Sequence, residues 1–393
     1  MIPAALKVLW RNDRERIVVV AALLAMVGIN QLGTGMLFAL IPVKLAADGY
    51  PASAAGIIST VFSICFMAGC IVGPRIAAWI GPSRTPAVLA GVNALLALLH
   101  WAFPGPVTWA LFRGLGGLTT ATYFVLIESW FAAQTTPATR GLVFGLYMTM
   151  NRLAFALGQI VLAWVAPSAI MQLFLVSAVA YLISPLARPR GADTAPSMRS
   201  PSLSSYLELP RIVPASAAGA LMHGLVFGSA PGLVPKWGVD AGVGVDVIAK
   251  ALTAVQLGGL FLQLPVSYAS DRFERRTVMA FVCTMTALSS LALLWMPAKA
   301  TWLWFAMLFL WGGFSSTLYS LSAAHANDHA APEQRVAWVS SIMLLWATGA
   351  AIGPLIASLA MDWHGTNMLW VYSCVVSVVI GVFLLWRKVV RPE

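Results

Sequence analysis

The sequence predicts an all-α membrane protein: twelve transmembrane helices in two six-helix bundles related by a pseudo-two-fold axis. Three observations predict it. Of the 393 residues, 60% are hydrophobic and 10% charged, with a mean hydropathy of +0.83, whereas a soluble domain carries about a quarter charged residues. Apolar runs long enough to cross a bilayer recur from end to end, and the longest polar stretch, about 25 residues, is too short for an appended domain. The second half of the chain also repeats the first.

In chain order, MIPAALKVLWRNDRER places apolar residues before Arg11, Arg14 and Arg16 and reads as an interfacial segment. The first span, 17–43, holds Asn30, Gln31, Gly33 and Gly35. Many similar runs follow it without any A-x-A-like site, so it is not a cleaved signal peptide. Spans two and three cover 52–80 and 86–103. The fourth, 107–132, carries Arg113 and Glu128; QTTPAT separates it from the fifth, 140–165, which carries Asn151, Arg152 and Gln159. The sixth is 168–187. A Pro-, Ser- and Arg-rich cytoplasmic linker, 187–211, then joins a first bundle, 1–186, to a second, 212–393. The remaining spans are 212–236, 247–270, 277–296, 302–326, 336–361 and 367–386. An even count puts both termini on one side.

Basic residues test that count, because Lys and Arg collect in cytoplasmic loops. The proposed inner side gathers Arg11, Arg14, Arg16, Arg75, Arg84, Arg140, the linker arginines, Arg272, Arg275, Arg276, Arg335 and Arg387; the outer side has only Lys44, Lys236, Lys250 and Lys299. The net charge of +10 therefore reflects sidedness in a lipid bilayer. It forms no continuous basic face for nucleic acid. Both termini are expected in the cytoplasm, with the chain in a cytoplasmic (inner) membrane. Trp101, Trp109, Trp295, Trp302, Trp304, Trp363 and Trp370 fall near outer ends, as an aromatic belt would.

The repeat has a period of about half the chain. GGLTTATYF (116–124) matches GGFSSTLYS (312–320) at an offset of 196. Spans five and eleven align at 195, pairing Arg140 with Arg335, Met148 with Met343 and Gly158 with Gly353. Spans two and eight align at 191, pairing Pro74 with Pro265 and Arg84 with Arg275, and spans one and seven at 193, pairing Asn30 with His223. Four alignments in the same order are the mark of parallel repeats.

Arg113 and Arg152 belong to neither side. At about 1.5 Å per residue, Arg113 lies about 9 Å below the outer interface and Arg152 about 12 Å from it, so similar depths are expected. Glu128, about 22 Å along the helix from Arg113, is too far to pair with it. An ionisable group inside a span normally faces a protein interior or a wet cavity and marks a pathway; a structural arginine bonded to neighbouring carbonyls is the alternative. Two guanidinium forks without a counter-ion point to carboxylate or phosphate. Asn30, Gln31, Asn151, His223 and Gln256 are further candidates to line the site, or else bridge helices, and Tyr147, Tyr123 and Tyr319 are weaker ones. His223 titrates near neutral pH and is a candidate for coupling, or a buried histidine satisfied by a hydrogen bond. Glu128, near the cytoplasmic end of its helix and within reach of Arg84 or Arg140, is expected in a gate-closing ion pair ahead of a proton-carrying role. Asp271 and Glu274, with Arg272 and Arg275, are expected to gate the second half.

SYASDRFERR (267–276) resembles the loop motif of the major facilitator superfamily, an acidic residue followed by arginines that close the cytoplasmic side between neighbouring helices. GPRIAAWIGPSR (73–84) keeps Gly73, Gly81 and Arg84 of that motif but is apolar at the usual acidic position. RGLGG (113–117) is similar to the family's fourth-span motif, whose arginine faces the central cavity and is tied to coupling. IESW (127–130), followed by RG and LYM in the next span, is similar to the YcaD-like transporters. The resemblance covers essentially the whole chain. It implies the major facilitator fold, two bundles rocking about a central site with alternate access to each face.

The expected function is secondary transport of a small organic anion, with a proton or counter-substrate as possible partner and the chain acting as a monomer. One rival is a proton-coupled multidrug exporter of apolar or cationic compounds, which needs an acid near mid-membrane, where the sequence has none. Another is a transport-inactive sensor or scaffold binding through 187–211. Cys65, Cys70, Cys283 and Cys374 lie singly in apolar spans, and His100, His325, His329 and His364 are scattered between the two faces. No metal, cofactor or phosphate-cradling loop is expected, and an enzyme lacks both a soluble domain and a catalytic constellation.

Overall fold

Backbone groups in hydrocarbon have no water to bond, so each apolar run closes its hydrogen bonds internally as a helix. The structure, a computed structural model, describes residues 14–135, 139–189, 203–296, 301–331 and 335–390. The first half comprises α1 (Arg14–Ala47), α2 (Ala52–Ile80), α3 (Thr85–Ala102), α4 (Pro106–Ala133), α5 (Arg140–Ile160) and α6 (Leu173–Ile183), with 3-10 turns at Val161–Trp164, Pro167–Gln172 and Ser184–Ala187. Then come α7 (Leu203–Ile212), α8 (Pro214–Phe227), α9 (Ala230–Asp240), α10 (Val245–Arg272), α11 (Arg275–Trp295), α12 (Trp302–His329), α13 (Arg335–His364) and α14 (Met368–Val390). Most of the expected N-terminal interfacial segment, residues 190–202 and the side chains of Arg14, Arg140 and Arg335 lie outside the described residues.

Two expected spans differ. The seventh is broken into α8 and α9 around Gly228 and Ser229, because Pro231 has no N–H to return to the carbonyl of Phe227. The tenth, α12, is as long as its neighbours yet is absent from the eleven segments among the described residues that are long and apolar enough to cross a membrane. Ser315, Ser316, Thr317 and Ser322 lower its hydropathy, and all four are buried. They are tolerated because α8, α10 and α11 pack around this helix and the hydroxyls bond carbonyls of its own preceding turn.

The repeat seen in the sequence returns as repeated packing. α5 crosses α1 as α13 crosses α8. A Cβ at Gly158 would lie 2.3 Å from the carbonyl oxygen of Leu32, and one at its repeat mate Gly353 would lie 2.4 Å from that of Leu225. Only glycine lets the backbones approach so closely. The linker's end is ordered on the second half: α7 buries Leu209, and Tyr206 and Thr348 of α13 share a hydroxyl hydrogen bond of 3.1 Å.

The two halves meet at the end that carries the lysines. Asp362 of α13 accepts the N–H groups of Ala52 (2.7 Å) and Ser53 (3.0 Å) in the first turn of α2. Deeper in, Thr60 Oγ1 donates to the carbonyl of Ala351 (2.6 Å) and Thr253 Oγ1 to that of Ala156 (3.5 Å). At mid-length the rings of Phe66 and Trp346 meet edge to face, 5.9 Å apart. These four cross-half hydrogen bonds lie between this end and the middle. Lys44, Lys236 and Lys250 each pair with an aspartate one turn away, Asp48, Asp240 and Asp246.

The tryptophan belt is corrected in part. Trp101, Trp295, Trp302 and Trp363 are exposed, but Trp109, Trp304 and Trp370 are buried. Trp304 and Trp370 pack with Trp237, at 5.8 and 5.1 Å, and Trp109 Nε1 donates to the carbonyl of His100 (2.9 Å). A ring near a helix end faces lipid or neighbour according to the rotation of its helix, which residue position does not reveal.

Candidate functional site

Arg113 lies about 10 Å along α4 from its first residue and is only 6% exposed. Its guanidinium carbon stands 4.2 Å from the ring centre of Phe38 on α1 and 4.4 Å from that of Phe62 on α2, an arrangement in which the π-faces take the place of a counter-ion. Beyond the rings it borders a small cavity between the halves, shared with Ile58 and Ser59 of α2 and Pro231 and Gly232 of α9. Arg152 projects from α5 toward α10. Its Nη1 is buried without a hydrogen-bond partner and rests where a Cβ at position 259 would lie 2.1 Å away, so Gly259 makes its room. No carboxylate pairs with either arginine among the described residues.

The two are not at one level. Gly259, beside Arg152, is about 21 Å from the start of α10, while Ser59, beside Arg113, is about 10 Å from the start of α2. The expectation of equal depth fails because it set the fifth span in a core of about 30 Å, whereas the helical stretch from Arg140 to Trp164 is longer than that and leaves Arg152 at mid-length. The arginines border the inter-half space at two heights.

Glu128 accepts a hydrogen bond from the hydroxyl of Tyr147 (3.1 Å). This corrects the expected pair with Arg84, which is exposed at the start of α3; the side chain of Arg140 lies outside the described residues. One turn along α5 from Tyr147, Asn151 accepts from Gln31 Nε2 (2.8 Å). Asn30 is 2% exposed and its Nδ2 has no partner. His223 bonds the carbonyl of Ser315 through Nδ1 (2.9 Å) and stacks on Phe227, ring centres 5.1 Å apart. Gln256 is buried one turn before Gly259 on α10, Tyr123 is fully buried, and Tyr319 is half-buried beside His223.

The 267–276 loop acts differently from expectation. Arg275 holds Asp328 at the end of α12, Asp271 (3.4 Å) and Ser270 (3.0 Å), while Arg272 lies over the ring of Tyr268 (4.2 Å). Glu274 pairs with Arg276 (2.7 Å) and with Lys388 of α14 (3.1 Å). These contacts tie α10, α11, α12 and α14 together within the second half, so Asp271, Arg272, Glu274 and Arg275 clamp one bundle where a gate was expected. Partial desolvation would raise the Glu274 carboxyl, but hydrogen bonds from Thr277, Arg276 and Lys388 outweigh it and hold the group at about 2. A depressed carboxyl contributes stability that is complete above its unfolded value of 4.5 and is lost as pH falls toward 2. The melting-temperature gap between the wild type and Glu274→Gln should therefore be level from neutral pH down to about 5.5 and shrink below 4.5; a gap that stays constant through pH 3 would contradict the pairing.

Sequence reading missed two features. Asp362 was an ordinary loop-end acid until the fold set it on α2. The rings of Phe38, Phe62, Phe66, Phe124, Phe155 and Trp346 form a connected series, each within 6.4 Å of the next. The one-turn spacing of Phe62 and Phe66 was legible, but not the direction in which they face.

Comparison with known proteins extends these observations. The Major Facilitator Superfamily profile matches residues 215–393. The protein described as "Uncharacterized MFS-type transporter YcaD" from Escherichia fergusonii is 25% identical over 356 residues, 90% of this chain and 92% of that one. Its counterpart from Salmonella typhimurium matches to the same extent. Among solved structures, the nucleoside transporter NupG (D323A mutant) superposes with a TM-score of 0.78 at 10% identity, covering 94% of this chain and 99% of the other. A bacterial homolog of the human lysosomal transporter Spinster, inward-facing and unoccupied, gives 0.73 at 14% identity, covering 95% and 96%. At these identities the likeness is one of fold.

Proposed function

We propose that this chain is a transporter of the major facilitator superfamily and carries a small organic anion across the cytoplasmic membrane by alternating access. The observation that carries the reading is a pair of guanidinium groups bordering the inter-half space, neither of them neutralised by a carboxylate among the described residues. A buried charge without a partner is costly, and an anionic cargo supplies the missing partner in a bidentate geometry that arginine favours.

With the arginine-rich loops in the cytoplasm, the lysine-bearing end is the outer one, and the halves are closed toward the outside. The exchange of Glu128 and the loop arginines as gate partners is replaced in this reading by the cross-half contacts at Asp362, at Thr60, and at Gly56 of α2, which packs on Pro354 and Ser358 of α13. A proton or a second anion drives the cycle. The cargo named for NupG is not carried over, since the likeness to it is of fold alone.

Flux into liposomes containing the purified protein tests the class of cargo. Matched carboxylates, neutral amides and ammonium compounds of equal size are offered in turn. Saturable flux of the carboxylates is expected; preferential flux of the ammonium compounds would overturn the proposal.

A further inference from the structure

The region where the two halves meet is aromatic as well as cationic. The first half brings Phe62, Phe66 and Phe124 to it, and the second Trp346, Tyr319 and Phe227. All six rings are only partly covered, although they sit on helices α2, α4, α8, α12 and α13 that meet at the centre of the molecule. Phe66 and Trp346 are the hub. Phe66 lies 6.0 Å from Phe62 and 6.4 Å from Phe124, and Trp346 lies 6.3 Å from Tyr319 and 6.4 Å from His223. Phe62 in turn carries the Arg113 guanidinium on its face. A row of ring faces and edges thus runs between the two halves and ends on a cation.

The neutral polar groups nearby are mostly occupied. Gln31 donates to Asn151, Gln263 donates to Ser320 (2.6 Å), Tyr147 donates to Glu128, and His223 bonds the Ser315 carbonyl. On α1, Asn30 Nδ2 and Gln31 Oε1 remain without partners, enough for one further polar substituent. A cargo rich in hydroxyls would leave its own groups unpaired here, and a buried group left unpaired costs more than its bond contributes when made. Besides those two atoms of α1 and the indole Nε1 of Trp346, which also has no partner, rings and guanidinium groups are what this region has free. A flat unsaturated ring gains the offset and edge-to-face contacts that a saturated ring of equal size lacks.

We infer that the anion is an aromatic acid, its ring held against the Phe66 and Trp346 pair and its carboxylate directed to the arginines. The inference rests on the anionic reading above and narrows it. Binding is also linked to the cycle: Phe66 and Trp346 belong to different halves and meet edge to face, so a ring seated against the pair contacts both and favours the state in which they are near.

The test uses the purified full chain, with thermal shift and flux read for benzoate, 1-naphthoate and indole-3-carboxylate against cyclohexanecarboxylate and decalin carboxylate, and against benzylammonium. An aromatic acid should bind roughly three- to tenfold more tightly than its saturated match. Phe66→Leu and, separately, Phe124→Leu should erase that preference while the carboxylate requirement stays. Equal affinity for aromatic and saturated acids would overturn the inference and leave the anion reading standing. Binding of benzylammonium alone, or of none of the acids, would overturn both. Should Phe66→Leu fail to fold, the Phe124→Leu variant and the wild-type acid series still decide.

Discussion

Arg152→Ala abolishes transport of the anion and weakens its binding by roughly 10- to 150-fold, the equivalent of the about 1.5–3 kcal/mol that a hydrogen bond to a charged group contributes. The position of the side chain explains the size. Nη1 is buried at mid-length with no partner, so an anion docking there exchanges no existing protein bond and meets a group already stripped of water. The same fact sets the sign for the empty protein. Removing a buried, unpaired N–H relieves a cost, so the ligand-free melting temperature should hold or rise while ligand-induced stabilisation disappears. Arg152→Lys should recover only part of the affinity, because an ammonium lacks the planar fork. A fall in ligand-free melting temperature with unchanged ligand response would make Arg152 a structural residue. Arg113→Ala should behave otherwise in the empty protein, since that guanidinium does have contacts to lose, the rings of Phe38 and Phe62.

Gly56→Leu holds the lysine-bearing end apart and reduces transport to below about a tenth. At this crossing of α2 and α13 a Cβ would lie 2.0 Å from Ser358 Oγ and 2.8 Å from the carbonyl of Pro354, so even one methyl group forces the halves to separate, and a larger side chain enforces it. Within each half nothing moves, because the packing at Gly158 and Gly353 is elsewhere. The reporter is Ser59→Cys, beside Gly232 in the closed interface. Its labelling by a membrane-impermeant maleimide added outside should be slow in the parent and fast with Gly56→Leu. Asp362→Ala acts in the same direction but less strongly. It removes a carboxylate that accepts two otherwise orphaned N–H groups at the start of α2, worth about 1 kcal/mol for a helix cap, or about a fivefold shift between states. Labelling of Ser59→Cys that ignores both substitutions would mean that this end does not open.

The parts of the site that were legible are those that depend on composition and spacing along one helix. Arg113 and Arg152 stood out because a guanidinium in an apolar run is expensive wherever it points. Asn151 and Tyr147, one turn apart, were readable as one face of α5, and the fold adds Gln31 and Glu128 to that face from two other helices. Arg84 was drawn toward Glu128 by loop proximity, yet the start of α3 leaves it exposed. The loop arginines resembled a gate, but Asp328, 53 residues from Arg275 in sequence, captures Arg275 within its own half.

From the sequence alone followed the all-helical membrane fold, the count and order of the spans, and the duplication, because bilayer thickness, backbone hydrogen bonding and charge sidedness act on each segment separately. Tertiary structure alone decided that Arg152 sits at mid-length against Gly259, that rings from both halves meet, and that Asp362 closes the lysine-bearing end. Those outcomes depend on how each helix is rotated about its axis and where it crosses its neighbours. Rotation and crossing are set by close contacts such as Gly158 on Leu32 and Gly353 on Leu225, between residues more than a hundred positions apart.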